Sequence, residues 1–222
     1  MLMSYLRYIV LVTALCWAGC ASDTPFPNSD AISDTTATES AAAASPQDAF
    51  WASLESLCGQ AFAGTALDAP EGDDTFADTT LVMHVRQCFD DEIRIPFHVG
   101  EDRSRTWIIS QTDDGLRLKH DHRHDDGIED ETTQYGGDTE DEGTATRQSF
   151  PADAFTADLL PAAASNVWTV EATNEAYTYI LVRENTGARY EIAFDLTEPV
   201  DPPPAPWGYE DAAPTHENEG SG

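Results

Sequence analysis

The sequence predicts a mainly β domain, an antiparallel closed or nearly closed barrel (calycin-like) of roughly eight to ten strands with one N-terminal α-helix. Three observations carry that expectation. Apolar residues alternate with polar ones through most of the chain from about residue 79 onward. Turn signals such as TDDG, DDG and ENTG separate these runs at short intervals. Helical spacing dominates only one longer stretch, just after residue 45. Short strands at such intervals can also pack as two layers, so a two-sheet β-sandwich is the alternative.

The helix is read from SPQDAFWASLESLCGQAF. Ser45 can cap it, Pro46 suits the first helical position, and Asp48 stands where a capping box places its acid. Phe50, Trp51, Leu54, Leu57 and Cys58 recur at three- and four-residue spacing, and Gly59 or Gly64 can end the segment. Beyond it, TTLVMHVRQCF, EIRIPFHVG, SRTWIISQT, LRLKHDHRH, IEDETTQYGG, ATRQSF, SNVWTVEA, AYTYILVRE and ARYEIAFDLT read as strands. FPADAFTADLL reads as a short helix between two of them.

The flanks divide the chain further. Residues 1–19 have the parts of a lipoprotein-type signal peptide: Arg7, the apolar run YIVLVTALCW, and Ala18-Gly19 before Cys20. That run is too short to span a bilayer, which needs about 20 residues. Cys20 is the expected lipid anchor; simple secretion with cleavage near AGCAS is the alternative. Residues 20–45 are rich in Ser, Thr, Ala and Asp and are expected to form a disordered tether. Residues 46–198 form the β domain, and 199–222 a disordered, Pro-rich acidic tail. Removing Cys16 with the leader and assigning Cys20 to the lipid leaves Cys58 and Cys88. In an oxidising compartment these predict a disulfide, which the chain-entropy estimate makes worth roughly 3–4 kcal/mol.

Formal charge is −30, from 41 acidic and 11 basic residues. Such a chain repels nucleic acid and anionic lipid headgroups. Cations concentrate between residues 84 and 125, which hold five of the six histidines. On two successive strands His84 and Arg86, then Arg94 and His98, share the face opposite the apolar residues. If those faces look outward they are a solvated surface. If they line a wide barrel, Arg86, Arg94, His84 and His98 are candidates for holding a small anionic ligand.

LRLKHDHRHDDG places three histidines at alternate positions before a turn signal. A two-residue turn at Asp126-Gly127 pairs His124 with Glu129 and His122 with Glu131. That register puts His120, His122, His124, Glu129 and Glu131 on one face. His120, His122, His124 and Glu131 are therefore a candidate site for a divalent metal such as zinc, against the reading of a charged hairpin without metal. An odd register slip would separate the carboxylates from the imidazoles. The chain contains no G-x-S-x-G, P-loop, G-x-G-x-x-G, H-E-x-x-H or C-x-x-C motif, and no catalytic residue is assigned.

RIPFHVGEDRSRTW, LRLKHDHRHDDG and TQYGGDT resemble blocks in a group of uncharacterised exported proteins and lipoproteins of proteobacteria, over roughly residues 50 to 198. The resemblance implies export and transfers no activity. The resulting expectation is an outer-membrane-anchored lipoprotein facing the periplasm or the cell surface, or a secreted or periplasmic soluble protein. Its expected role is non-enzymatic: binding a small anionic ligand or an envelope protein, or supporting the envelope. The alternative is a divalent-metal-binding protein or metal-dependent hydrolase using the His120/His122/His124 face.

Overall fold

The computed structural model describes residues 44–215. The expected signal peptide, Cys20 and all but the last two residues of the tether lie outside the described residues. Helix α1 (Pro46–Glu55) begins as its sequence dictates. Ser45 accepts from the Asp48 amide at 3.0 Å, and the Asp48 carboxylate accepts from the Ser45 amide at 3.0 Å. Caps of this kind contribute about 1 kcal/mol. The helix ends earlier than its apolar spacing predicts, and Ala61–Asp68 forms strand β1 instead. Ala61, Ala63, Gly64 and Ala66 supply neither β-branches nor a clear alternation, so this strand leaves no pattern to read.

The remaining strands are β2 (Leu81–His84), β3 (Gln87–Cys88), β4 (Glu92–Val99), β5 (Asp102–Thr112), β6 (Gly115–His122), β7 (Tyr135–Asp138), β8 (Arg147–Pro151), β9 (Asn166–Ala172), β10 (Ala176–Arg183) and β11 (Ala188–Val200). The predicted short helix is α2 (Ala154–Leu159), capped by Asp153. All pairings are antiparallel, in the order β7-β6-β5-β4-β2-β1-β11-β10-β9-β8, with β3 paired to β4 alone. β1 joins the two halves by pairing β2 on one side and β11 on the other. At the ends of the order, β7 and β8 meet without a ladder. Asp153 donates its amide to Gly136 O at 3.0 Å, and Thr156 exchanges side-chain bonds of 2.7 and 2.8 Å with the Gly136 backbone. The result is a nearly closed ten-stranded barrel, not the two-sheet sandwich.

Alternation decides what fills it. Ile93, Ile95 and Phe97 from β4 point inward, with Trp107 and Ile109 from β5 and Leu116, Leu118 and His120 from β6. Tyr177, Tyr179, Ile192 and Phe194 come from the opposite wall. One end is plugged by α1, whose Phe50 and Leu54 are fully buried and whose Gln47 donates to Thr139 Oγ1 at 3.0 Å. The other end is partly roofed by the β1–β2 connection, where the Phe76 ring packs 5.7 Å from Phe97 and 6.3 Å from Tyr190. The disulfide forms between Cys58 and Cys88, with Cα atoms 6.3 Å apart, and fastens the segment after α1 to β3.

The expectation of a disordered tail from residue 199 is corrected through Thr215. Residues 199 and 200 belong to β11, and residues 201–215 cross the outside of the barrel as a strap. Trp207 donates its amide to Arg103 O at 3.2 Å, and Arg103 returns a bond to Ala205 O at 3.0 Å. Thr215 donates to Arg86 O at 3.0 Å, and Gln87 reaches Ala213 O at 3.3 Å. The composition of the tail hides this because most of its hydrogen bonds run through its own backbone groups. Its carbonyls supply acceptors to arginines that have no carboxylate beside them, and Trp207 and Tyr209 supply ring surface.

Candidate functional site at the barrel mouth

The turn after β6 has three residues, not two. His124 donates its amide to Ile128 O and accepts from the Gly127 amide, both at 2.9 Å, and Gly127 takes φ +82°. That is the three-residue hairpin form, with glycine in the left-handed position. The register therefore slips by one: Arg123 bridges Glu129, and Asp130 donates to His122 O at 2.8 Å. Glu129 and Glu131 thereby lose the histidine face. His120 and His122 turn into the barrel, whereas His124 and Glu131 are exposed. The nearest carboxylate to His124 is Asp130, at 3.8 Å. Among the described residues no group of three or more His, Cys, Asp or Glu side chains is placed to hold a metal ion, and the predicted His120, His122, His124 and Glu131 set does not assemble.

The proposed anion set is corrected in a different way. His84, Arg86, Arg94 and His98 do lie on the outer face, yet His84, Arg86 and His98 are buried, and the strap lies against Arg86. Arg86 donates to Ala212 O, and Arg94 pairs with Glu92 at 2.6 Å and lies 5.6 Å from the Tyr209 ring centre. None of the four lines the barrel interior. Strand parity turns this face outward, and the strap lies across part of it.

A cavity of about 200 Å³ lies inside the mouth of the barrel. Its floor is the stack of Phe97, Trp107 and Tyr179, with Trp107 4.8 Å from one ring centre and 4.6 Å from the other. Phe76, Tyr135, Leu181 and Tyr190 form walls, and Arg105 and Arg183 add charge from β5 and β10. Those two strands stand third and eighth in the strand order, on opposite sides of the barrel.

His120 is 3 % exposed, and burial pushes its imidazole down to about 3. It is neutral at ordinary pH. Its Nδ1 faces Tyr135 O at 3.1 Å, an acceptor, so Nδ1 carries the hydrogen. Nε2 then accepts from the Tyr179 hydroxyl at 2.8 Å. Burial, then the nearby Arg105 charge, also lowers His122, whose Nε2 sits 3.0 Å from the Tyr135 hydroxyl. Burial raises that hydroxyl to about 12, so it stays protonated and donates to His122. The histidines are therefore neutral members of a tyrosine network beside the cavity.

A pH dependence follows from His120. In the unfolded chain the imidazole takes a proton near pH 6.5, in the folded protein only near 3. Between those values the unfolded state binds more protons, so acidification below 6.5 removes stability by up to about 1.4 kcal/mol per pH unit from this group. His98, lowered to about 4 chiefly by burial, acts in the same direction. Urea unfolding measured from pH 7 to pH 4.5 is expected to show a steep loss that His120→Gln flattens by about that slope. An unchanged slope would mean that His120 is not buried neutral.

Arg183 is the residue that pattern reading passed over. Every other described arginine, and Lys119, has a carboxylate or carbonyl partner: Arg86, Arg94, Arg103, Arg105, Arg117, Lys119, Arg123, Arg147 and Arg189. Arg183 has no such partner among the described residues, and its buried Nε has no hydrogen bond. Its guanidinium lies 5.9 Å from the Tyr190 ring centre. A sequence signal for it exists: in AYTYILVRE it continues the inward stripe of Tyr177, Tyr179 and Leu181.

The chain matches no protein-family model, no curated protein and no solved structure. Among the described residues no helix is long and apolar enough to cross a membrane.

Proposed function

We propose that this chain is an exported, lipid-anchored binding protein whose barrel mouth holds a small anionic organic molecule. The observation that carries the reading is Arg183. In a protein with 41 carboxylates against 11 bases, one arginine stands in an aromatic cavity with no carboxylate in ion-pair contact and its Nε unbonded. Asp73, already held by Tyr190 and Thr75, acts on it only at longer range. Leaving a guanidinium Nε buried and unbonded costs free energy, about 1–3 kcal/mol or more for a charged group, which a ligand anion would recover. Preformed concave sites with mostly apolar walls and a few convergent polar groups are the usual form of small-molecule sites. The partnered imidazoles favour holding a ligand over transforming it.

Export is supported by the leader pattern in residues 1–19, by Cys20 after two small residues, and by the bond between the two remaining cysteines. Two experiments test the two halves. In cells, wild-type protein is expected in the membrane fraction with a lipid-sized mass increase on Cys20, and Cys20→Ala is expected in the soluble fraction. Membrane retention of Cys20→Ala would contradict the anchor. In vitro, Arg183→Met is expected to weaken binding of organic anions about ten- to 100-fold, as loss of a charged hydrogen bond predicts. Arg94→Met, on the outer face, is expected to leave binding unchanged; the opposite pattern would overturn the site.

A further inference from the structure

We infer that the ligand is a planar aromatic monocarboxylate of about ten to fifteen heavy atoms, its ring caged at the barrel mouth and its carboxylate on Arg183. This rests on the mouth being an anion site, as proposed above, and adds the chemical class.

Size comes first. At about 200 Å³ the cavity is smaller than the roughly 300–1,000 Å³ of drug-sized sites. Filled at interior packing density, it takes on the order of a dozen heavy atoms. Depth comes next. The Phe97–Trp107–Tyr179 stack closes the floor, and beneath it Tyr177 and Phe194 are fully buried. Tyr177 stacks 5.9 Å below Trp107, and Phe194 meets Trp107 edge-on at 6.0 Å. No shaft continues down the barrel, so a long acyl chain has nowhere to go.

The walls specify the body. Phe76, Phe97, Tyr135 and Tyr190 present ring faces and edges to the space, a cage that favours another ring by offset and edge-to-face contact. The charges specify the head. Arg105 is already paired with Asp102, leaving Arg183 as the uncommitted cation. Asp73 also lines the cavity, held by the Tyr190 hydroxyl at 2.6 Å and by the Thr75 amide at 3.0 Å. Its carboxylate offsets part of the Arg183 charge, so the mouth has little positive charge to spare for a second ligand anion. One planar carboxylate meets one guanidinium in the paired geometry that arginine favours, whereas a phosphate dianion brings a further negative charge close to Asp73.

The test titrates the full chain with 4-hydroxycinnamate, its neutral amide, palmitate and phenyl phosphate, following binding by calorimetry and by indole fluorescence. The expected result is that 4-hydroxycinnamate binds. The amide, palmitate and phenyl phosphate are each expected to bind at least about tenfold more weakly. Arg183→Met is expected to lower 4-hydroxycinnamate affinity at least tenfold while the ligand-free melting temperature stays level or rises. Should Arg183→Met fold poorly, Arg183→Lys keeps the charge, loses the paired geometry and is expected to weaken binding severalfold. Tighter binding of palmitate or phenyl phosphate, lost with Arg183, would overturn the aromatic carboxylate class and leave the anion site standing. No binding by any of the three anions, or binding untouched by both Arg183 variants, would overturn the class and the anion site together.

Discussion

Gly137→Ala is expected to cost this protein roughly 4 kcal/mol or more, enough to lower its melting temperature by about 8–16 °C. Gly137 lies where β7 meets β8, the seam that closes the barrel. A methyl group there would stand 1.7 Å from Pro151 O and 2.7 Å from Pro151 C, both backbone atoms. No side chain can turn aside, so the seam itself must part. The neighbouring Gly136 is equally confined: a Cβ would lie 1.9 Å from Leu118 O, at a φ of +153°. Gly137 thus lets β7 approach β8, with which it shares no ladder, while Gly136 lets it lie close against β6. Denaturant unfolding of wild type and Gly137→Ala checks the expectation, and a loss below about 1 kcal/mol would show that the seam is looser than described.

Asp121→Ala is expected to destabilise the fold by about 3–5 kcal/mol and to release the strap. Asp121 lies on the outer face of β6, 1 % exposed. Its carboxylate accepts from Arg123 Nε at 2.9 Å, the Tyr209 hydroxyl at 2.8 Å, Gln134 Nε2 at 3.1 Å and the Thr133 hydroxyl at 3.3 Å. Removing it strips the Arg123 guanidinium of its buried anion, leaving only the exposed Glu129 carboxylate at 3.1 Å, and leaves three donors without an acceptor. The Tyr209 ring, 4.7 Å from the Arg123 guanidinium carbon, loses its place with them. Limited proteolysis should then cut between residues 201 and 215, where wild type resists. Adding Arg123→Met removes a charge left with only an exposed partner and is expected to recover part of the loss. An Asp121→Ala protein with an intact, protease-resistant strap would contradict this role.

Much of the fold was legible because period-two alternation survives in strands buried on one face, and because α1 carries its cap residues in order. Strand β1 was not, since its Ala and Gly residues bury little and the pairing that requires it is made with β11, far away in sequence. The hairpin after β6 shows how one residue decides a site. Asp125 joined Asp126 and Gly127 in the turn, and that single shift carried Glu129 and Glu131 away from His120 and His122. Turn signals mark where a chain reverses, but DDG serves two loop lengths. The strap was illegible for a different reason: backbone carbonyls leave no residue signature, so a Pro-rich, acidic segment reads as disorder until its contacts are known.

The candidate site was half legible. Cation clustering between residues 84 and 125 drew attention to arginines opposite the apolar faces, where most are neutralised by carboxylates or by the strap. The informative arginines continue inward stripes, Arg105 two residues before Trp107 and Arg183 after Tyr177, Tyr179 and Leu181. An arginine on the apolar face of a strand is costly unless something pairs with it. For Arg105 that partner is Asp102, and for Arg183 it is the proposed ligand.

If Arg183 holds the ligand anion, its own Nε–H resonance must report the binding. In a nitrogen–proton spectrum of the arginine side chains, assigned by loss of one peak in Arg183→Met, the Arg183 signal is followed during titration with 4-hydroxycinnamate. This signal is expected to shift downfield and become protected from solvent exchange as the ligand saturates, while those of Arg86 and Arg94 stay in place. A static Arg183 signal, with the shifts falling on the outer-face arginines instead, would contradict it.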